Sequence, residues 1–143
     1  MRPRHIVVVE DSDEDFATIQ DAARRSGMLH PIVRARSGGE CLRMLRGSQG
    51  SQGPRDALPL LVLLDLTTPG DDGREVLRGV RSDDALITLP VVVLSASTNA
   101  RDLQFCYANG ANAYHVKPVD HALHLKVLQD IFAYWLGSVV LPA

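Results

Sequence analysis

Leu58-Pro59-Leu60-Leu61-Val62-Leu63-Leu64-Asp65-Leu66-Thr67-Thr68-Pro69-Gly70-Asp71-Asp72-Gly73 is an apolar run that ends in a single carboxylate, Asp65, followed by turn residues. An uninterrupted apolar run of strand length, closed by Pro and Gly, predicts a strand buried on both faces, as in the centre of a parallel sheet. Ligands of such sheets sit beyond the carboxyl ends of the strands. Asp65 is therefore expected at a mouth open to solvent, on a rigid support, with Pro69 and Gly73 shaping the loop around it. Taken alone, Asp65 could equally end the strand or cap the next helix, so the rest of the chain has to decide.

Upstream, Ile6-Val7-Val8-Val9 is a second buried strand, and it too ends in acid: Glu10, Asp11, Ser12, Asp13, Glu14, Asp15. Ser12 or Asp13 caps a helix whose apolar positions Phe16, Ile19, Ala22 and Ala23 recur at helical spacing until Gly27. Capping and the helix dipole account for two or three of these acids, not all. Pro31 to Ala35 reads as a strand, and Ser37-Gly38-Gly39-Glu40 opens a helix running to Gly47. The repeat Ser48-Gln49-Gly50-Ser51-Gln52-Gly53 predicts a flexible loop over about 47–57. Downstream of Asp65 the pattern gives a helix from about Arg74 to Arg81 and a buried strand Val91–Leu94 ending at Ser95. A helix capped at Asn99 follows and stops at Asn109-Gly110, then a strand Ala113–Val116 ending in Lys117-Pro118, and a last helix from about Asp120 to Trp135. Five strands alternating with five helices argue a three-layer α/β domain with a parallel sheet and right-handed crossovers.

At 143 residues the chain has the length of one domain, 1–143, with a C-terminal extension over about 132–143. The apolar share of 45% and charged share of 22% exclude a largely disordered chain. A formal net charge of -2 gives no basic field for nucleic acid. Cys41 and Cys106 stand in no metal-site or redox spacing. The apolar run behind the basic N-terminus is too short for a secretory signal, and no stretch approaches membrane-spanning length. The expectation is a cytoplasmic protein.

The predicted strand ends thus carry Glu10 and Asp11, Asp65, Ser95 and Lys117. Carboxylates pushed together repel, on the order of 4 kcal/mol for a pair about 4 Å apart at an effective dielectric near 20. A hard divalent cation offsets this, and a small carboxylate set that leaves room for water and phosphate suits Mg²⁺. Lys117 adds a mobile point charge and Ser95 a hydroxyl, both suited to phosphoryl oxygens. A carboxylate nucleophile, metal, Lys and hydroxyl together describe phosphoryl transfer to an aspartate.

The set Glu10-Asp11, Asp65 with Pro69 and Asp72-Gly73, Ser95-Ala96, and Tyr114 three residues before Lys117-Pro118 resembles the receiver domain of two-component response regulators across essentially the whole chain. The resemblance implies a flavodoxin-like fold with strand order 2-1-3-4-5. It makes Asp65 the phosphoacceptor, with Glu10, Asp11, Asp65 and the Thr67 backbone carbonyl holding Mg²⁺. Ser95 and Lys117 would contact the phosphoryl group, and Tyr114 would change rotamer with Ser95 as the switch. Thr68 departs from the Met usual before Pro69, and Thr67 and Ser97 occupy positions that often tune dephosphorylation in this family. The ending Phe132 to Pro142 also resembles the C-terminus of small single-domain regulators paired with phytochrome histidine kinases.

In the last helix Leu123, Val127, Ile131 and Tyr134 form one apolar stripe, and Leu125, Leu128, Phe132, Trp135 and Val139 a second. Two stripes exceed what one sheet covers, so the second is expected to make a homodimer, unless the tail 137–143 folds back over it. The functional expectation is a stand-alone response regulator. It accepts phosphate from a sensor histidine kinase and switches a surface for an unknown downstream protein, rather than acting as an enzyme on metabolites. A relay or phosphate sink uses the same chemistry. A haloacid-dehalogenase-like phosphatase wants an Asp where Thr67 stands. A nucleotide or flavin module wants glycines, not acids, after the first strand.

Overall fold

The computed structural model describes residues 4–49, 58–66 and 71–142. β1 (Ile6–Val9), β2 (Ile32–Ala35), β3 (Val62–Leu66), β4 (Val91–Ser95) and β5 (Ala113–Val116) form one sheet in the order β2-β1-β3-β4-β5, with every neighbouring pair parallel. The helices α1 (Asp13–Arg25), α2 (Gly38–Gln49), α3 (Asp71–Arg81), α4 (Ala100–Ala108) and α5 (His121–Ala133) alternate with the strands, and a wide π turn, Tyr134–Ser138, follows α5. This is the flavodoxin-like order expected from the sequence.

Strand side chains alternate between two cores because successive Cβ atoms point to opposite faces. Val7, Val9, Leu64, Val91 and Val93 pack with Leu42 and Leu45 of α2, Val76, Leu77 and Val80 of α3, and Cys106 of α4. Ile6, Val8, Leu63, Val92 and Leu94 pack with Ile19, Ala22 and Ala23 of α1 and with α5. The three central strands are buried at every position, which explains their unbroken apolar sequence, while the edge strands β2 and β5 are partly exposed.

The capping residues behave as read. Ser12 Oγ accepts from Asp15 N, Asn99 caps α4, Asp120 caps α5, and Gly27 and Gly110 take positive φ at helix ends. Two boundaries differ. α3 begins at Asp71 rather than near Arg74. α2 continues through Gly47 to Gln49, so the first three residues of the loop expected over 47–57 are helical; the rest of that span, 50–57, lies outside the described residues.

The expected dimer stripe requires correction. Leu125, Leu128 and Phe132 are buried in the protein's own core, Trp135 packs against it, and Val139 is half-buried. Ile131, assigned from the sequence to the other stripe, lies in the same core, whereas Leu123 and Tyr134 are more than half exposed. The inward face is thus one broad sector built from both stripes, wide because α5 packs against the sheet and α1 together. From the tail, Gly137 lines a cavity with Phe132 and Ala133, and Pro142 lines a small cavity with Arg4, Leu58, Pro59 and Leu89. Among the described residues no helix is long and apolar enough to cross a membrane.

His124, on the first turn of α5, is buried with Nε2 unpartnered. Burial lowers its pKa, with Lys117 and His121 acting in the same direction and Asp65 and Asp15 against it. Below the unfolded-state pKa, about 6.5, the unfolded chain binds a proton that the folded imidazole refuses, so this site loses stability as pH falls. His124→Leu is expected to gain on the wild type between about pH 7 and about pH 5, by at most about 1.4 kcal/mol per pH unit. Urea unfolding of both proteins across that range checks it, and a pH-independent difference would contradict it.

Candidate functional site

Parallel strands carry their carboxyl ends to one rim, where Asp65, one residue before the end of β3, is 3% exposed. Glu10, just past β1, is 1% exposed; its Oε1 accepts from Ser12 N at 2.9 Å, and its backbone carbonyl accepts from Arg34 Nε at 2.9 Å. Lys117 follows β5, its backbone N–H donating to the Ser95 carbonyl at 2.7 Å, and its side chain turns over the rim. The ammonium stands 2.6 Å from Asp65 Oδ1, 2.8 Å from Asp15 Oδ2 and 3.8 Å from Glu10 Oε2.

Three oxygens remain short of hydrogen bonds. Asp65 Oδ2 and Glu10 Oε2 have none, and Asp65 Oδ1 meets Lys117 as an ion pair without hydrogen-bond alignment. Burial, then the neighbouring Asp65 carboxylate, pushes the Glu10 carboxyl up to about 9. Burial also raises Asp65, against the opposing pull of Glu10 and Lys117. On Lys117 burial works against the charge, but Asp65, Asp15 and Glu10 outweigh it and hold the ammonium above the usual lysine value. The site is charged, desolvated and only partly neutralised.

Ser95 is fully buried at the end of β4, and its Oγ accepts from Ser97 N at 3.1 Å. The Tyr114 hydroxyl donates to the Ser97 carbonyl at 2.9 Å, so Ser95 and Tyr114 hold the same residue from two sides. Ser97 is fixed further by its own hydroxyl, which donates to Asp102 Oδ2 at 2.6 Å and accepts from Asn99 N at 3.2 Å. Tyr107 of α4 accepts from Tyr114 N at 3.1 Å, occupying the outward N–H of the edge strand.

Of the expected residues, Glu10, Asp65 and Lys117 form one cluster, while Ser95 and Tyr114 meet through Ser97. Asp11 is exposed, and among the described residues no three acidic, Cys or His side chains converge tightly enough to hold a metal by themselves. Thr67 lies outside the described residues. The donor chemistry nonetheless fits Mg²⁺, which keeps several waters and binds through one or two carboxylates, and the unpartnered Glu10 and Asp65 oxygens are hard donors of that kind. Sequence reasoning missed Asp15 as the second close partner of Lys117. It also missed Tyr107 and Arg34, for neither of which the linear pattern carries a signal.

The chain combines a doubly wound sheet in this order with buried acids and a lysine at its carboxyl rim, and residues 6–129 match the response regulator receiver domain family. The chain belongs to that family, in which phosphorylation and divalent-metal binding are typical. It is 38% identical over 135 residues to the probable methanogenesis regulatory protein FilR2 of Methanothrix harundinacea, covering 94% of this chain and 85% of that protein. It is 35% identical over 141 residues to the response regulator Rcp1 of Synechocystis, covering 99% and 95%. The crystal structure of the phosphorylated cyanobacterial phytochrome response regulator RcpA superposes with a TM-score of 0.86 at 35% identity, covering 99% of this chain and 100% of that one. The Mn²⁺-bound form of Rcp1 gives 0.85 at 35% identity, covering the same shares. The relation to phytochrome response regulators expected from the C-terminal residues holds over nearly the full chain.

Proposed function

We propose that Asp65 accepts a phosphoryl group from the phosphohistidine of a sensor histidine kinase of phytochrome type, in a Mg²⁺-dependent reaction, and that the resulting change at Ser97 alters a protein-binding surface beside α4 and β5. The observation that carries this reading is the buried Asp65 carboxylate, with Oδ2 unpartnered and Oδ1 held at 2.6 Å by Lys117. In the transfer the P–N bond breaks, its electron pair returns to the imidazole ring, and an Asp65 oxygen forms the new P–O bond. Lys117 is in reach to follow the charge from the carboxylate onto the phosphoryl oxygens. Glu10 and Asp65 would hold Mg²⁺, which supplies charge neutralisation when bound.

The signal route follows from Ser97. If Ser95 Oγ turns toward a phosphoryl oxygen, it gives up the Ser97 N–H. Ser97 also holds the Tyr114 hydroxyl, so the tyrosine loses the geometry of its anchor and the α4–β5 surface changes with it. Incubation with acetyl phosphate and Mg²⁺, followed by intact mass, tests the chemistry. The reading expects one added phosphoryl group, lost on addition of a chelator before the donor; a mass unchanged by donor and metal would overturn it.

A further inference from the structure

We propose that Asp15 is a positioning residue that competes with the incoming phosphoryl group for Lys117. The inference rests on the phosphoacceptor reading of Asp65. Lys117 and Asp15 lie 102 residues apart in sequence, and the Lys117 side chain is 11% exposed while that of Asp15 is 31% exposed. Asp15 holds it at 2.8 Å, almost as closely as Asp65 does at 2.6 Å, whereas Glu10 stands back at 3.8 Å. The other acids of this turn do not share the contact: Asp13 pairs with Arg34 and Arg36, and the exposed Glu14 takes no part in the cluster.

An ammonium has three protons and no fixed fork, so its partners exchange by small movements. When Asp65 carries a phosphoryl group, the carboxylate charge facing Lys117 gives way to phosphoryl oxygens, and the lysine is needed there. Asp15 does not change in that step. It keeps its hold on one proton of the ammonium, lowers the positive charge available to the phosphoryl group, and places a carboxylate near a dianion. Asp15 therefore sets how strongly the site holds phosphate without touching it, and it favours the unphosphorylated state.

Beryllofluoride, a mimic of the aspartyl phosphate, gives the test, titrated calorimetrically at saturating Mg²⁺ so that metal affinity does not enter. Asp15→Asn is expected to tighten beryllofluoride binding on the order of three- to tenfold, the scale of one partly exposed ion pair. Asp15→Glu, which keeps the charge, should return the affinity to the wild-type value. Glu14→Gln removes a charge from the same turn without touching Lys117 and should leave it unchanged. Equal tightening in Asp15→Asn and Glu14→Gln would reduce the effect to general charge and overturn the proposal. Unchanged or weaker binding in Asp15→Asn would also overturn it. If the wild type itself binds no beryllofluoride with Mg²⁺, the phosphoacceptor reading fails first.

Discussion

Asp65→Asn is expected to reduce phosphoryl incorporation by on the order of a thousandfold or more, as loss of a nucleophile does elsewhere, while leaving the fold intact. The amide nitrogen and oxygen cannot form the acyl phosphate, and no other carboxylate has the same position. Glu10 is as buried, but its Oε1 is committed to Ser12 N, and Asp11 and Asp15 are more exposed. Stability should not fall. Burial disfavours the charged form of the wild-type carboxylate, so a neutral amide of the same shape removes that desolvation cost, which offsets the loss of the Lys117 ion pair. Donor-dependent mass gain and a urea melt on the same preparation check both halves. Persistent labelling in the variant would move the acceptor elsewhere, and a collapsed melt would make the loss uninformative about chemistry.

The second large effect is structural. Arg81 at the end of α3 donates to the carbonyls of Ile87 at 3.0 Å, Leu89 at 2.8 Å and Gly110 at 2.7 and 2.9 Å, and to Asn112 Oδ1 at 2.7 Å. The same Asn112 oxygen accepts Val91 N at the start of β4. One guanidinium thus gathers the segment before β4 and the segment before β5, and burial lowers its pKa. Arg81→Ala leaves several carbonyls without a donor and is expected to cost about 2–4 kcal/mol. Arg81→Lys should recover less than half of that, because an ammonium cannot span the four acceptors. Gly110→Ala tests the same contact from the other side: its φ is +97°, and a Cβ there would lie 2.6 Å from Arg81 Cγ. Chemical denaturation of the three variants gives the ranking, and a wild-type midpoint for Arg81→Ala would contradict it.

The strands and the rim residues were legible because burial on both faces leaves an unbroken apolar run, and each run's end marks the rim. Asp65, Glu10, Ser95 and Lys117 could be placed that way without any contact being known. The orientation of α5 could not. Its apolar residues surround more of the helix than one stripe, and spacing alone does not say that α1 and the sheet together cover Leu125, Leu128, Ile131 and Phe132. Partner choice across the fold was equally hidden. Asp15 reads as an ordinary first-turn acid, and only the closure of the sheet brings it to Lys117. Tyr107 reads as an exposed helix aromatic until the edge N–H of Tyr114 supplies its function.

The central claim is that phosphate resides on Asp65. Borohydride reduces an aspartyl phosphate to homoserine, so treating the phosphorylated protein with borohydride and mapping its peptides locates the acceptor directly. The account predicts homoserine at position 65 alone, dependent on both donor and Mg²⁺. Homoserine or its glutamate-derived counterpart at position 10, 11 or 15, or a stable phosphate on histidine with position 65 unmodified, would contradict it.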